Sequence, residues 1–148
     1  MNRFMNESNI DAPYDIVSFL LKNDTYSRWI GVQIVEAELG RCKIECKIRD
    51  EMLNGFKVAH GGILFSLADT ALAFTAATYG FVSLTIDNSI SITKKSFTGN
   101  VVTAESKTVN LTNKTGLFDV RLRNEKNEVI AFMKGTVYRT SDKIVIDK

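Results

Sequence analysis

Apolar and polar residues alternate strictly in one segment of the first third of the chain. Four apolar side chains occupy every second position between Arg41 and Arg49: Cys42, Ile44, Cys46 and Ile48. Charged residues fill the positions between them. A period of two is typical of an antiparallel strand with one buried and one solvated face. We therefore predict a strand over 41–49 with both cysteines in the core, and a hairpin partner of weaker pattern over 31–39.

The segment from His60 to Tyr79 has the length of a helix and is apolar on nearly every side. A helix that is apolar all round is expected to be buried all round. Asp69 interrupts the apolar run near its middle. The small residues of this segment suit the close approach of a sheet and of a second copy of the helix.

Shorter elements lie on both sides of this helix. An N-terminal helix is predicted to begin at Asp11-Ala12-Pro13, because proline is tolerated in the first turn of a helix. It is predicted to end at 22–24. Trp29 and Ile30 then predict a short turn that packs on the core. After the long helix, four segments joined by turn residues are predicted as strands: 82–93, 101–111, 117–123 and 129–139. In 82–93 the aliphatic residues alternate with hydroxyl side chains, which predicts a single apolar face.

This order of elements predicts an antiparallel sheet wrapped around one helix, which is an α+β fold. We expect one domain over residues 13–140, a flexible N-terminus over 1–12 and a C-terminal tail over 141–148. With 148 residues, 45% of them hydrophobic, the chain is long enough to bury a sizeable core.

Composition excludes several classes of function. The net charge is only +2, from 19 basic and 17 acidic residues that are mixed along the chain, which argues against a nucleic-acid partner. One histidine and two cysteines do not form a metal-binding pattern, so we expect no metal. The N-terminus lacks the apolar core of a signal peptide, and the apolar run over 63–77 is too short to span a membrane. We therefore expect a cytoplasmic protein with no membrane partner.

Asp69 is the strongest candidate for a functional residue. A carboxylate in an apolar buried helix is costly unless it is paired or neutralised. A structural role, in which it bonds to Thr70, to Ser66 or to the sheet backbone, is one interpretation. A catalytic role is favoured because perturbed carboxylates are concentrated at functional sites.

The sequence His60-Gly61-Gly62 stands where the long helix begins. Exposed N–H groups at a helix N-terminus, together with the helix dipole, favour developing negative charge. This arrangement suits an oxyanion hole for acyl transfer. The alternative is that the two glycines only permit a tight turn, and that His60 bonds to the loop backbone.

The spacing of Gly61 and Asp69 constrains how they act. Eight residues along a helix correspond to about 12 Å at ~1.5 Å per residue. Catalytic atoms must meet within about 3–3.5 Å, so one helix cannot place both groups around one carbonyl carbon. If both are catalytic, they come from two antiparallel copies of the helix. A two-fold dimer with two equivalent sites satisfies this requirement.

Residues 52–74, MLNGFKVAHGGILFSLADTALAF, resemble the PaaI-type phenylacetyl-CoA thioesterases of the hotdog-fold superfamily. The family pattern is near LNG, then HGG, four residues, LAD, one residue and Ala, and every position is filled here. The resemblance covers roughly residues 14–140. It implies a six-stranded antiparallel sheet around one long central helix, dimers with continuous sheets, and a homodimer or homotetramer. It also implies hydrolysis of an acyl-CoA thioester to a free acid and coenzyme A, with no metal and no cofactor.

The resemblance assigns roles to five residues. Asp69 matches the general base or nucleophile, and Gly61 matches the residue whose backbone N–H polarises the carbonyl. His60 and Asn54 match positions that orient the thioester and the loop. Thr85 matches a position where some relatives use a serine to hold the water.

The chain departs from the family after the strand that carries Thr85. Many relatives continue into a Leu-Arg-Pro-Gly-like segment, whereas this chain has Thr93-Lys94-Lys95-Ser96. We expect Lys94 or Lys95 to contact coenzyme A phosphates, with a solvated surface as the alternative. Gly62 and Thr70 complete the predicted substrate-binding set.

The leading hypothesis is thus an acyl-CoA thioesterase with an aryl or medium-length acyl preference, such as for phenylacetyl-CoA. The acyl pocket is expected between subunits, from residues such as Phe56, Phe65, Leu72 and Phe74. A non-catalytic acyl-CoA-binding hotdog module is the alternative. A hotdog hydratase or dehydratase ranks third, because its His and Gly-Pro pattern is missing and the sole proline, Pro13, lies far from the motif.

Overall fold

The computed structural model describes residues 12–147, so most of the predicted flexible N-terminus lies outside the described residues. The helices are α1 (Pro13–Asn23), α2 (Thr25–Ile30) and α3 (Gly61–Ala77), and a short 3-10 turn covers Asp50–Met52. The strands are β1 (Gln33–Glu38), β2 (Arg41–Lys47), β3 (Phe81–Ile92), β4 (Val101–Leu111), β5 (Thr115–Arg123) and β6 (Val129–Lys143).

The six strands form one antiparallel sheet in the order β1-β2-β4-β5-β6-β3. The sheet wraps around α3, which contacts every strand from β2 to β6. In β2 the predicted alternation holds, and Cys42, Ile44 and Cys46 are buried against the helix. The predicted α+β fold, with a six-stranded antiparallel sheet around one long helix, is confirmed.

The segment that contains Trp29 and Ile30 is a helix, so the predicted short turn is wrong. Asp24 caps α2, because its Oδ1 accepts a hydrogen bond of 2.9 Å from the backbone N–H of Ser27. Gly31, in the left-handed conformation, ends the helix. Ile30 is fully buried, but Trp29 is 51% exposed.

Strand β3 lies at one edge of the sheet and contains a β-bulge between Thr85 and Asp87. Ile86 is the additional residue in this bulge, and it exchanges the two faces of the strand. Before the bulge, three aliphatic side chains are 39%, 59% and 61% exposed: Val82, Leu84 and Ile86. After the bulge, Ile90 packs on the core. The prediction of a single apolar face along 82–93 is therefore wrong.

Helix α3 is not buried all round, contrary to the prediction. Five of its residues form an exposed or half-buried stripe that the sheet, α1 and α2 cover only in part: Gly62, Phe65, Ser66, Asp69 and Ala73. We call this the uncovered stripe. The physical reason is that a single chain supplies one sheet, which can cover only part of the helix surface.

The last strand extends into the segment that was expected to be a C-terminal tail. Strand β6 continues to Lys143, beyond the expected domain end at residue 140. The backbone N–H of Ile144 then donates a 2.9 Å hydrogen bond to the carbonyl of Gly80. Among the helices of residues 12–147, none has the length and apolar character needed to cross a membrane.

Candidate active site

Asp69 lies on the uncovered stripe, opposite the bulged part of β3. Its Oδ1 accepts two hydrogen bonds, one of 3.0 Å from the hydroxyl of Thr85 and one of 2.8 Å from Nδ2 of Asn88. Among the residues that the structure describes, none donates a hydrogen bond to Oδ2. One oxygen of the carboxylate is therefore held in place, and the other is available to a ligand or to water.

The two hydroxyls that the sequence offered as structural partners do not bond to Asp69. Ser66 donates to the carbonyl of Gly62 at 2.8 Å, and Thr70 donates to the carbonyl of Ser66 at 2.8 Å. Thr70 also lies 3.4 Å from the hydroxyl of Ser27, against α2. The structure does not bring Thr70, a predicted substrate-binding residue, to the Asp69 carboxylate.

The β-bulge explains how Thr85 and Asn88 reach the same carboxylate. In a regular strand, residues three apart point to opposite faces. The additional residue in the bulge brings both side chains to the α3 side of the sheet. Thr85 was predicted from the sequence and Asn88 was not. The sequence does contain a signal for Asn88, because it is the single polar residue among the even-numbered positions from 82 to 92.

Asn88 is fitted closely into the sheet. It pairs with Gly135 of β6, and a Cβ at Gly135 would lie 2.2 Å from Oδ1 of Asn88 and 2.3 Å from Cδ1 of Leu72. Only glycine leaves room for the asparagine at this position. Oδ1 of Asn88 is buried without a hydrogen-bond partner among the described residues. Among the described residues, the Asn88 side chain therefore forms a hydrogen bond only with Asp69.

The start of α3 forms a second group of predicted residues. His60 is the N-cap, and its Nδ1 accepts a 2.9 Å hydrogen bond from the backbone N–H of Gly62. The N–H groups of Ile63 and Leu64 bond to the carbonyl of His60. No described residue accepts a hydrogen bond from the N–H of Gly61. Of the two predicted glycines, Gly61 therefore has the free amide, at the positive end of the helix dipole.

Gly61 lines a groove of about 380 Å³, which we call the Gly61 groove. Four of the residues predicted to act on or bind the substrate line this groove: Asn54, Gly61, Lys94 and Lys95. Oδ1 of Asn54 accepts hydrogen bonds from the backbone N–H groups of Phe56 at 2.9 Å and Val58 at 3.4 Å. Asn54 therefore holds the loop that precedes α3, in agreement with a role in orienting it.

The two lysines of the Gly61 groove differ in their surroundings. Lys94 forms an ion pair with Glu128, and the hydrogen bond from Lys94 holds the pKa of that carboxyl below its usual range. Lys95 is exposed, and none of the ion pairs between described residues includes it. Lys95 is thus the freer of the two positive charges.

The predicted site residues form two groups at two places on one helix. Asp69 and Thr85 belong to one group, and Gly61 belongs to the other with His60 and Asn54. Eight residues of helix, about 12 Å, separate Gly61 from Asp69. Within residues 12–147, no group of three or more His, Cys, Asp or Glu side chains is placed to hold a metal ion.

The sequence profile of the thioesterase superfamily matches residues 56–131, which is more than half of the chain. The chain belongs to the thioesterase superfamily. The matched region contains Gly61, Asp69, Thr85 and Asn88, so both groups of the candidate site lie inside it. The chain is accordingly an enzyme of the thioester hydrolase class.

Two related proteins match this chain over most of their own length. A protein of Archaeoglobus fulgidus with the provisional name of esterase is 39% identical over 127 residues, which cover 86% of this chain and 82% of the relative. Acyl-coenzyme A thioesterase PaaI of Escherichia coli is 28% identical over 120 residues, covering 81% of this chain and 86% of the relative.

Solved structures agree with these relatives. The structure of the Escherichia coli PaaI protein, from the phenylacetic acid degradation operon, matches with a TM-score of 0.87 and 26% identity, over 90% of this chain and 96% of that chain. A Streptococcus mutans protein bound to acetyl-CoA matches with a TM-score of 0.74 and 25% identity, over 76% and 91%. The expected resemblance to PaaI-type thioesterases and the expected hotdog fold are confirmed.

Proposed function

We propose that this enzyme hydrolyses an acyl-CoA thioester to a free acid and coenzyme A, with an aryl or medium-chain acyl group such as phenylacetyl. The observation that carries the proposal is the Asp69 carboxylate, held through Oδ1 by Thr85 and Asn88 while Oδ2 has no described donor. The name of the Escherichia coli relative and the acetyl-CoA bound to the Streptococcus mutans protein support the substrate class. Cytoplasmic location remains part of the proposal.

Asp69 acts on the thioester in one of two ways. As a general base, Oδ2 takes a proton from water while the water oxygen attacks the carbonyl carbon. As a nucleophile, Oδ2 attacks the carbonyl carbon itself, and water then hydrolyses the resulting anhydride. In both routes the carbon–sulfur bond breaks and coenzyme A leaves as the thiolate. Thr85 and Asn88 keep the carboxylate in one orientation, and neither route calls on a metal or a cofactor.

The Gly61 amide stabilises the negative charge that develops on the thioester oxygen. A backbone N–H at the N-terminus of a helix is suited to this role because it is oriented before the reaction begins. Since Gly61 and Asp69 of one chain are about 12 Å apart, the amide at each site comes from Gly61 of the partner subunit. The active form is therefore a dimer with antiparallel α3 helices and two equivalent sites.

Two surfaces support assembly into a dimer or a tetramer. The uncovered stripe of α3 and the unpaired edge of β3 are adjacent, and a second copy would cover both. On the outer face of the sheet, Leu84, Ile86 and Tyr138 are 59%, 61% and 41% exposed. Clustered apolar side chains on an outer sheet face favour a second interface. A homodimer that pairs into a homotetramer fits both surfaces.

Coenzyme A occupies the Gly61 groove in this proposal. Lys95 offers a free positive charge to its phosphates, and Lys94 becomes available when a phosphate displaces Glu128. Gly62 stays a proposed substrate-binding residue, although it does not line this groove and its N–H is bonded to His60.

The test is release of coenzyme A from phenylacetyl-, benzoyl-, short-chain and medium-chain acyl-CoAs, followed with a thiol reagent. We expect Asp69→Asn to lower kcat by about 10²–10⁴-fold, the usual contribution of general base catalysis. Asp87→Asn is the matched control, since Asp87 is an exposed carboxylate of the same strand region that pairs with Thr136 of β6. Wild-type turnover by Asp69→Asn would contradict the proposal. Tight binding of acyl-CoA without turnover by the wild-type chain would instead indicate the non-catalytic module.

A further inference from the structure

A groove of about 500 Å³ lies between the α1–α2 pair, the C-terminal half of α3 and the beginning of β3. We call it the α1–β3 groove. Its apolar lining comes from seven residues: Leu20, Ala73, Phe74, Ala77, Phe81, Val82 and Ile144. It is separate from the Gly61 groove, with which it shares no lining residue.

The α1–β3 groove begins next to the Asp69 carboxylate. Ala73 follows Asp69 by four residues and therefore lies one turn further along the same face of α3, about 6 Å away. Ala77 lies one turn beyond Ala73. On the sheet side, Ser83 lines the groove and precedes Thr85 by two residues, so the two side chains point to the same face of β3.

The charges of the two grooves are opposite. The Gly61 groove contains Lys94 and Lys95, which suit phosphates. Among the described residues that line the α1–β3 groove, Asp24 carries the only charge, and it is negative. This carboxylate disfavours the phosphates of coenzyme A, and the apolar walls favour an uncharged hydrocarbon group.

We propose that the α1–β3 groove holds the acyl chain of the thioester, and that Ala73 and Ala77 determine its length. This inference rests on the proposed function and names the substrate class more closely, as acyl groups that are apolar to their far end. The carbonyl lies at Asp69, and the chain extends past Ala73 toward Ala77. Of the side chains expected at the acyl pocket from the sequence, Phe74 lines this groove, whereas Leu72 is fully buried.

Larger side chains at the two alanines should shorten the accepted chain in a graded way. Burial of one methylene is worth about a fourfold change in affinity or in kcat/KM. Ala73→Leu blocks the groove near the carboxylate, so it should exclude more methylenes than Ala77→Leu, which blocks it one turn further on. In both variants the loss of kcat/KM should be smallest for acetyl-CoA and should grow with chain length.

The experiment measures kcat/KM for acetyl-, butanoyl-, hexanoyl-, octanoyl- and decanoyl-CoA. We expect Ala73→Leu to lose activity from a shorter chain onward than Ala77→Leu, with about a fourfold loss for each methylene excluded. Ser18→Leu, which adds the same side chain on α1 outside the groove, is the control and should keep the wild-type profile. Equal losses at every chain length, or no loss at any, would overturn the inference.

Two further measurements separate this inference from the proposed function. Adipoyl-CoA ends in a carboxylate, and we expect at least a tenfold lower kcat/KM than for hexanoyl-CoA; equal values would overturn the assignment of an apolar acyl class. If the wild-type chain released no coenzyme A from any thioester, the proposed function would fail. The groove would then be tested by calorimetry, where Ala77→Leu should weaken binding of decanoyl-CoA but not of acetyl-CoA, and unchanged binding of both would overturn it.

Discussion

Asn88→Ala tests whether a neutral side chain on the sheet controls the Asp69 carboxylate. The 2.8 Å hydrogen bond from Nδ2 of Asn88 is one of two that hold Oδ1 of Asp69. A hydrogen bond to a charged group contributes about 1.5–3 kcal/mol. If this contribution is realised when Asp69 is oriented for reaction, its loss lowers kcat by roughly 10- to 150-fold.

Stability should respond much less than activity. The substitution removes a favourable hydrogen bond, but it also removes Oδ1 of Asn88, which is buried without a partner. The two effects are each about 1–3 kcal/mol and opposite in sign, so the free energy of unfolding should change by about 1 kcal/mol or less. Urea denaturation measures this change, and release of coenzyme A under saturating substrate measures kcat.

Thr85 provides the matched comparison for Asn88. Thr85→Ser keeps the hydroxyl that bonds to Asp69 at 3.0 Å, and Thr85→Val removes it with little change in shape. We expect wild-type kcat for the serine variant and a smaller loss for valine than for Asn88→Ala, because water can replace an exposed donor. Unchanged kcat in Asn88→Ala, with a folded protein, would refute the view that this bond positions the carboxylate.

Two further predictions follow from close packing and burial. Gly135→Ala should lower the free energy of unfolding by about 1–3 kcal/mol, because the new Cβ would lie 2.2 Å from Oδ1 of Asn88. It should also lower kcat, because it displaces the Asn88 side chain. Wild-type stability in a denaturation curve would contradict this prediction. Burial raises the pKa of Cys42 to about 12 and of Cys46 to about 11, so at pH 8 neither thiol should react with a disulfide reagent in the native protein, whereas both should react in urea. Rapid native labelling would show that the core opens locally.

The sequence was sufficient for the main architecture because its strongest signals are local. The strict alternation over 41–49 is typical of a strand, and the apolar run from His60 is too long for a strand but has the length of a helix. The helix α2 was missed although its signals are present, with Asp24 three residues before Ser27 and a glycine at the end. Six residues are too few for an apolar period to show.

The candidate site was only partly predictable, for a physical reason. Asp69 and Gly61 stand out because each is unusual in its own helix. Asn88 is recognised only once the bulge at Ile86 is known, since the bulge reverses which face each later residue occupies. A one-residue insertion in a strand leaves almost no trace in a pattern of apolar residues, so the face of Asn88 could not be assigned. The ion pair between Lys94 and Glu128 joins residues far apart in the sequence, so it could not be predicted from the sequence either.

The position of β3 in the sheet has a consequence for synthesis of the chain. Within the described sheet, β3 pairs with β6 alone, and β6 is the last of the six described strands in chain order. The helix with Asp69 and the strand with Thr85 and Asn88 precede β6 in the chain, but β3 has no strand to pair with until residues 129–143 are made. A nascent chain, or one terminated before Val129, can form the β1–β2–β4–β5 part of the sheet, but the strand that carries Thr85 and Asn88 is not yet paired in it. In the proposed site, Thr85 and Asn88 are thus held opposite Asp69 only after β6 has been made, so a chain terminated before Val129 should be inactive.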